Sequence, residues 1–171
     1  LSLSESADPG GDLSTINGLP AHVLLVHLIV VLAPLTAVLE ILCGIWPAAR
    51  RRLVWLVLAL AAVTVVFTPL TTSAGEWLYN REGSPSAALQ THAERGDWMI
   101  YFSVALLIVA IVLGVLHWQE TRSDTTRTLV RIVVAVVAIA VGASVIVAVI
   151  RIGDSGARAV WGSALAETNS G

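Results

Sequence analysis

Four histidines, one cysteine and twelve acidic residues are the groups in this 171-residue chain best suited to hold a metal or pass a proton. Five of them, His22, His27, Glu76, His92 and Asp154, stand at or beside the ends of long apolar stretches. Imidazoles from two helices can clamp a haem iron axially, and imidazole with carboxylate can hold zinc, copper or iron. His22, His27 and His92 are therefore the candidate cofactor-binding residues, and His22, His27, Glu76, His92 and Asp154 the candidate metal ligands. No Glu-x-x-His or other compact ligand motif joins them, and a second reading makes the histidines interfacial hydrogen-bonders that fix helix ends. His22 and His27 are separated by about 140° around a helix and about 7.5 Å along it, so a regular helix aims only one of them at a given ion. No nucleophile, base and orienter assemble, so no catalytic residue is assigned.

The remaining polar groups are sparser. Glu40 lies inside an apolar run, where an ionisable side chain is a functional hypothesis by default; it is expected to be neutral, or paired with Arg131 or with one of Arg50, Arg51 and Arg52. Thr64, Thr68, Thr72 and Glu76 recur every four residues as one polar stripe. Either the hydroxyls return to the backbone around Pro69 with Glu76 solvated, or Glu76 joins the histidines as ligand or proton acceptor. His117 is expected at the opposite membrane face, meeting Glu40 or Arg50, and Cys43 is expected to pack rather than react.

The elements that position these groups follow from composition. Apolar residues make up 56% of the chain and charged ones 13%, far below the quarter usual in soluble domains. Mean hydropathy is +0.82. Such a chain belongs in a bilayer, and its net charge of −2 offers no basic surface for nucleic acid. One cysteine excludes an internal disulfide, a Cys-x-x-Cys-His haem attachment and any cysteine-ligated cluster. Four runs, 21–46, 53–73, 98–116 and 132–150, are long enough to span about 30 Å of hydrocarbon as helices. They predict an all-α integral membrane four-helix bundle, antiparallel and up-down. The two short connections carry six arginines (Arg50, Arg51, Arg52, Arg122, Arg127, Arg131) against four on the other side, which places both connections in the cytoplasm and both termini outside. Trp46, Trp77, Trp98, Trp118 and Trp161 mark the interfaces as anchors.

Residues 1–19 are polar, lack the basic start and apolar core of a cleavable signal, and are expected as a disordered outer tail. Residues 20–152 form the transmembrane domain and 153–171 an outer C-terminal segment. In the long outer connection, Ser84 and Pro85 predict the start of a short interfacial helix, with Gly96 and Asp97 ending it. Ala88, Leu89, His92 and Ala93 share one face, which turns His92 toward the bundle or the membrane surface.

Several of these stretches resemble a known family. Gly18-Leu19-Pro20-Ala21-His22 with His27, then Ala74-Gly75-Glu76-Trp77-Leu78, His92-Ala93-Glu94-Arg95-Gly96-Asp97 and Gly153-Asp154-Ser155-Gly156 occur in the order seen in the bacterial four-helix integral membrane family catalogued as domain of unknown function 2231. The resemblance runs from about residue 16 to 162. It implies a four-helix membrane domain and, because related domains are joined to Rieske-type or cytochrome c modules, a redox role near a quinone or haem. His22, His27, Glu76 and His92 match the family's pattern; Asp154 stands where the pattern often has a histidine.

The resulting expectation is a membrane component of the bacterial inner membrane that binds haem b or a transition-metal ion at the outer helix ends, next to a redox or respiratory partner. The alternative is a non-catalytic subunit that docks a partner protein through its polar outer face. A transporter is disfavoured because internal repeats and broken helix pairs are missing.

Overall fold

Lipid offers backbone amides no hydrogen-bonding partner, so an apolar run must satisfy them internally, as a helix does. The computed structural model, which describes residues 15–16, 19–81, 86–122 and 128–168, bears this out. It contains α1 (Ala21–Ile45), α2 (Pro47–Arg81), α3 (Ala87–Asp97), α4 (Met99–Arg122) and α5 (Thr128–Thr168). Four helical stretches are long and apolar enough to cross a membrane. The only other described element is a two-residue antiparallel pairing of Thr15–Ile16 with Leu19–Pro20. Most of the expected outer tail lies outside the described residues.

Around the bundle the order is α1, α2, α4, α5, each packed against the next and α5 against α1. All neighbours run antiparallel. The α1/α5 seam is closed by small residues: a Cβ on Gly142 would sit 2.8 Å from Ile41 Cδ1 and 3.1 Å from the Ala37 carbonyl. Tight backbone approach of this kind replaces the hydrophobic effect as the cohesive force between helices in lipid. One core cluster near the arginine-rich end joins Cys43, Val54, Val57, Leu113 and Val134; a second, toward the opposite end, joins Ile29, Ala33, Met99, Leu106 and Val145.

Helix lengths differ. At 1.5 Å per residue, the 25 residues of α1 extend about 38 Å, the 35 of α2 about 52 Å and the 41 of α5 about 62 Å. Because the apolar runs begin near the first turns of α2 and α5, their surplus length projects at the far end. Residues 153–168, within the C-terminal segment expected over 153–171, are helical and continuous with α5. Helix α3 caps this overhang. Its N-cap is Ser86, whose Oγ accepts from the Leu89 N–H at 3.2 Å; the expected start at Ser84 and Pro85 lies outside the described residues.

The arginine-rich end is closed by an ion cluster built around one buried arginine. Arg50, fully buried, donates through Nη1 to the Cys43 carbonyl at 2.7 Å, satisfying an orphan carbonyl at the end of α1. Its Nη2 and Nε donate to Glu120 Oε1 and Oε2 at 2.7 and 3.2 Å, and Arg131 Nε reaches Oε1 at 2.8 Å. One carboxylate thus ties α2, α4 and α5 together while the shared guanidinium holds α1. Removing Glu120 strands the buried Arg50 charge in a dry site, whereas without Arg50 the carboxylate keeps Arg131. Glu120→Leu is expected to lower stability by about 3–5 kcal/mol, and Arg50→Met with Glu120→Leu to recover most of that loss. Denaturant unfolding in micelles, followed by circular dichroism, checks the difference.

Candidate functional site

The overhanging ends of α2 and α5, with α3 across them, leave a cavity of about 720 Å³ on the side opposite the ion cluster. That volume suits a drug-sized ligand. Its apolar wall includes Val26, Ile29, Met99, Val149 and Ile152, and its polar lining includes Thr68, Thr72, Glu76, His92, Glu94 and Asp97. The cavity therefore runs from an apolar wall to a polar, acidic mouth.

His92 is the best-positioned group in it. Its Nδ1 lies 3.2 Å from the Ile152 carbonyl and 3.4 Å from Ser155 Oγ on α5. A carbonyl only accepts, so Nδ1 carries the proton and, in the neutral ring, Nε2 is left as an acceptor. Ser155 is itself fixed, donating to the same carbonyl at 2.8 Å. The ring rests on Gly156, where a Cβ would come within 3.0 Å of Cε1 and 3.2 Å of Nδ1. A second tether runs from Arg95 Nη1 to the Arg151 carbonyl at 3.0 Å. Helix α3 is thus pinned to α5 at two points, with His92 turned inward as its amphipathic pattern requires.

The other expected ligands are distributed differently. Glu76 lines the same cavity from α2, exposed at its edge. His27 sits on an exposed face of α1 and is not part of the cavity lining; the side chain of His22 lies outside the described residues. Asp154 is exposed and paired with Arg158 at 2.9 Å, one turn along α5. Among the described residues no three His, Cys, Asp or Glu side chains are gathered to hold a metal ion. The threonine stripe follows the first of its readings as far as the hydroxyls go. Thr64, Thr68 and Thr72 return their hydroxyl hydrogens to the carbonyls of Leu60, Thr64 and Pro69, at 2.8, 2.7 and 3.0 Å, while Glu76 faces the cavity.

Of the two expectations for Glu40, the structure does not show the pairing. Neither Arg50 nor Arg131 pairs with it, because both converge on Glu120 at the helix ends; Glu40 is fully buried and neither carboxyl oxygen has a hydrogen-bond partner among the described residues. His117 meets neither Glu40 nor Arg50 but packs edge-on against Trp55, with ring centroids 6.4 Å apart. Glu120 is not assigned a role from the sequence, although it is the acidic residue at the end of the third span, among the arginines of the two short connections. Ser155 and Gly156 were also passed over in favour of Asp154; their offsets of three and four residues from Ile152 place them on the helix face that receives His92.

The fold and this site define a multi-pass membrane protein with one end locked and the other hollow. The chain belongs to the family described as predicted membrane protein (DUF2231), which matches residues 18–169. No curated protein and no solved structure matches it.

Burying a polar group without a partner costs about 1–3 kcal/mol. Glu40→Leu is therefore expected to raise stability by an amount of that order and Glu40→Gln to leave it unchanged, as read by unfolding in micelles. A large loss with Leu would show that the carboxyl has partners.

Proposed function

We propose that the protein is a ligand-binding membrane component whose site is the outer cavity, with His92 as the residue that holds the polar end of the ligand. The observation that supports this is the fixing of His92 through Nδ1 to the Ile152 carbonyl beside the cavity. An imidazole oriented in this way presents Nε2 ready-made to a hydrogen-bond donor or an iron atom. The reading keeps the expected site at the outer helix ends and reduces its ligand set to His92 with Glu76. Among the described residues His27 and Asp154 are not in the cavity lining, and no three metal-ligating side chains are gathered, which favours a ligand held by His92 over a protein-only metal centre or a haem between His92 and His27. Membership of a redox assembly in a bacterial inner membrane, with both termini outside, rests on the resemblance and on the arginine distribution.

Native mass spectrometry of protein extracted gently from its own membrane tests the reading. The wild type is expected to retain one small molecule that both His92→Ala and Gly156→Val release, with helicity unchanged by circular dichroism. Identical spectra for all three contradict it. An absorption spectrum on the same sample reads haem directly: a Soret band lost in His92→Ala would make the ligand a haem and restore the redox role.

A further inference from the structure

The hydrogen-bonding state of the cavity lining points to the chemical class of its ligand, on the basis that the cavity is a ligand site. The hydroxyls of Thr68 and Thr72 have spent their hydrogens on the carbonyls of Thr64 and Pro69, so only their lone pairs remain for a guest. In its neutral form His92 has its one hydrogen directed to the Ile152 carbonyl, which leaves Nε2 as an acceptor. Glu76, Glu94 and Asp97 add three carboxylates, acceptors only when ionised. Among the described residues no arginine lines the cavity, and the nearby Arg95 is turned to the Arg151 carbonyl. Tyr79, Asn80 and Gln90, also in the lining, can both donate and accept and so adapt to either kind of guest.

An anionic head would meet three like charges here and no fixed donor. A neutral acceptor such as a ketone would find donors only among the adaptable residues. We infer that the outer cavity takes a cationic amphiphile bearing N–H donors, a primary or secondary ammonium or a guanidinium on a compact apolar body. The ammonium lies at the mouth that Glu76, Glu94 and Asp97 make acidic, and the apolar body rests on Val26, Ile29, Val149 and Ile152. Charge supplies attraction that salt screens at the exposed mouth, and the N–H groups supply direction.

Four probes sharing one apolar body separate these contributions: 1-adamantylamine, its N,N,N-trimethylammonium analogue, 1-adamantanol and 1-adamantanecarboxylate. Each is titrated against the full chain in nanodiscs of zwitterionic lipid, with empty nanodiscs subtracted, by the fluorescence of the tryptophans. The amine is expected to bind at least tenfold more tightly than the alcohol and severalfold more tightly than the trimethylammonium, with no saturable binding of the carboxylate. Glu76→Gln with Glu94→Gln and Asp97→Asn should abolish the preference for the amine over the alcohol while adamantanol still binds. Saturable binding with no preference for the amine, or with the carboxylate as tight, overturns the assignment of ligand class and leaves the cavity reading standing. If none of the four saturates, the cavity reading fails with it.

Discussion

The structure depends on a single guanidinium placed where the helices converge. Arg50 is fully buried, and everything it touches is a helix terminus: the carbonyl of Cys43 at the end of α1 and the carboxylate of Glu120 near the end of α4, with Arg131 of α5 completing the cluster. A dry charge of this kind is tolerable only when every donor has an acceptor, so the geometry of the four termini is fixed together or not at all. The hairpin at Pro47 brings the Arg50 to Arg52 run to this level, and α4 is long enough to carry Glu120 down to meet it.

Locking one end determines what the other can be. Helices α2 and α5 are far longer than the hydrocarbon is thick, and their surplus emerges on the side away from the cluster. Two such projections cannot close on each other without a bridging element, and α3 is that element, tied to α5 through His92 and Arg95. The space beneath it is the cavity. Its contrast with the opposite end is electrostatic as well as geometric: cationic side chains close the one, carboxylates rim the other.

Most of the architecture was legible in the sequence because it rests on periodicity and length. The four spans, their antiparallel order and the helix facing His92 inward follow from apolar runs and a two-face pattern, and a bilayer leaves few alternatives. The site was only partly legible. His92 and Glu76 were singled out by type and do share a cavity, but His27 and Asp154 do not line it, since residue type says nothing about which side of an overhanging helix faces inward. The roles of Ser155 and Gly156 depend on an imidazole more than sixty residues earlier in the chain. The partner of Arg50 was not legible for a similar reason: Glu40 is the conspicuous charge within a span, whereas Glu120 sits at a helix end, and long arginine side chains reach ends more easily than interiors.

Hydrogen–deuterium exchange on the membrane-embedded protein tests the central claim, a bundle locked at one end and open at the other, most directly. Amides of residues 43–54 and 113–120 are expected to exchange slowest. Those of α3 and of residues 72–80 are expected to exchange fastest among the helices and to slow when adamantylamine is present. Uniform protection along α2, or faster exchange at the Arg50 end than beneath α3, would contradict it.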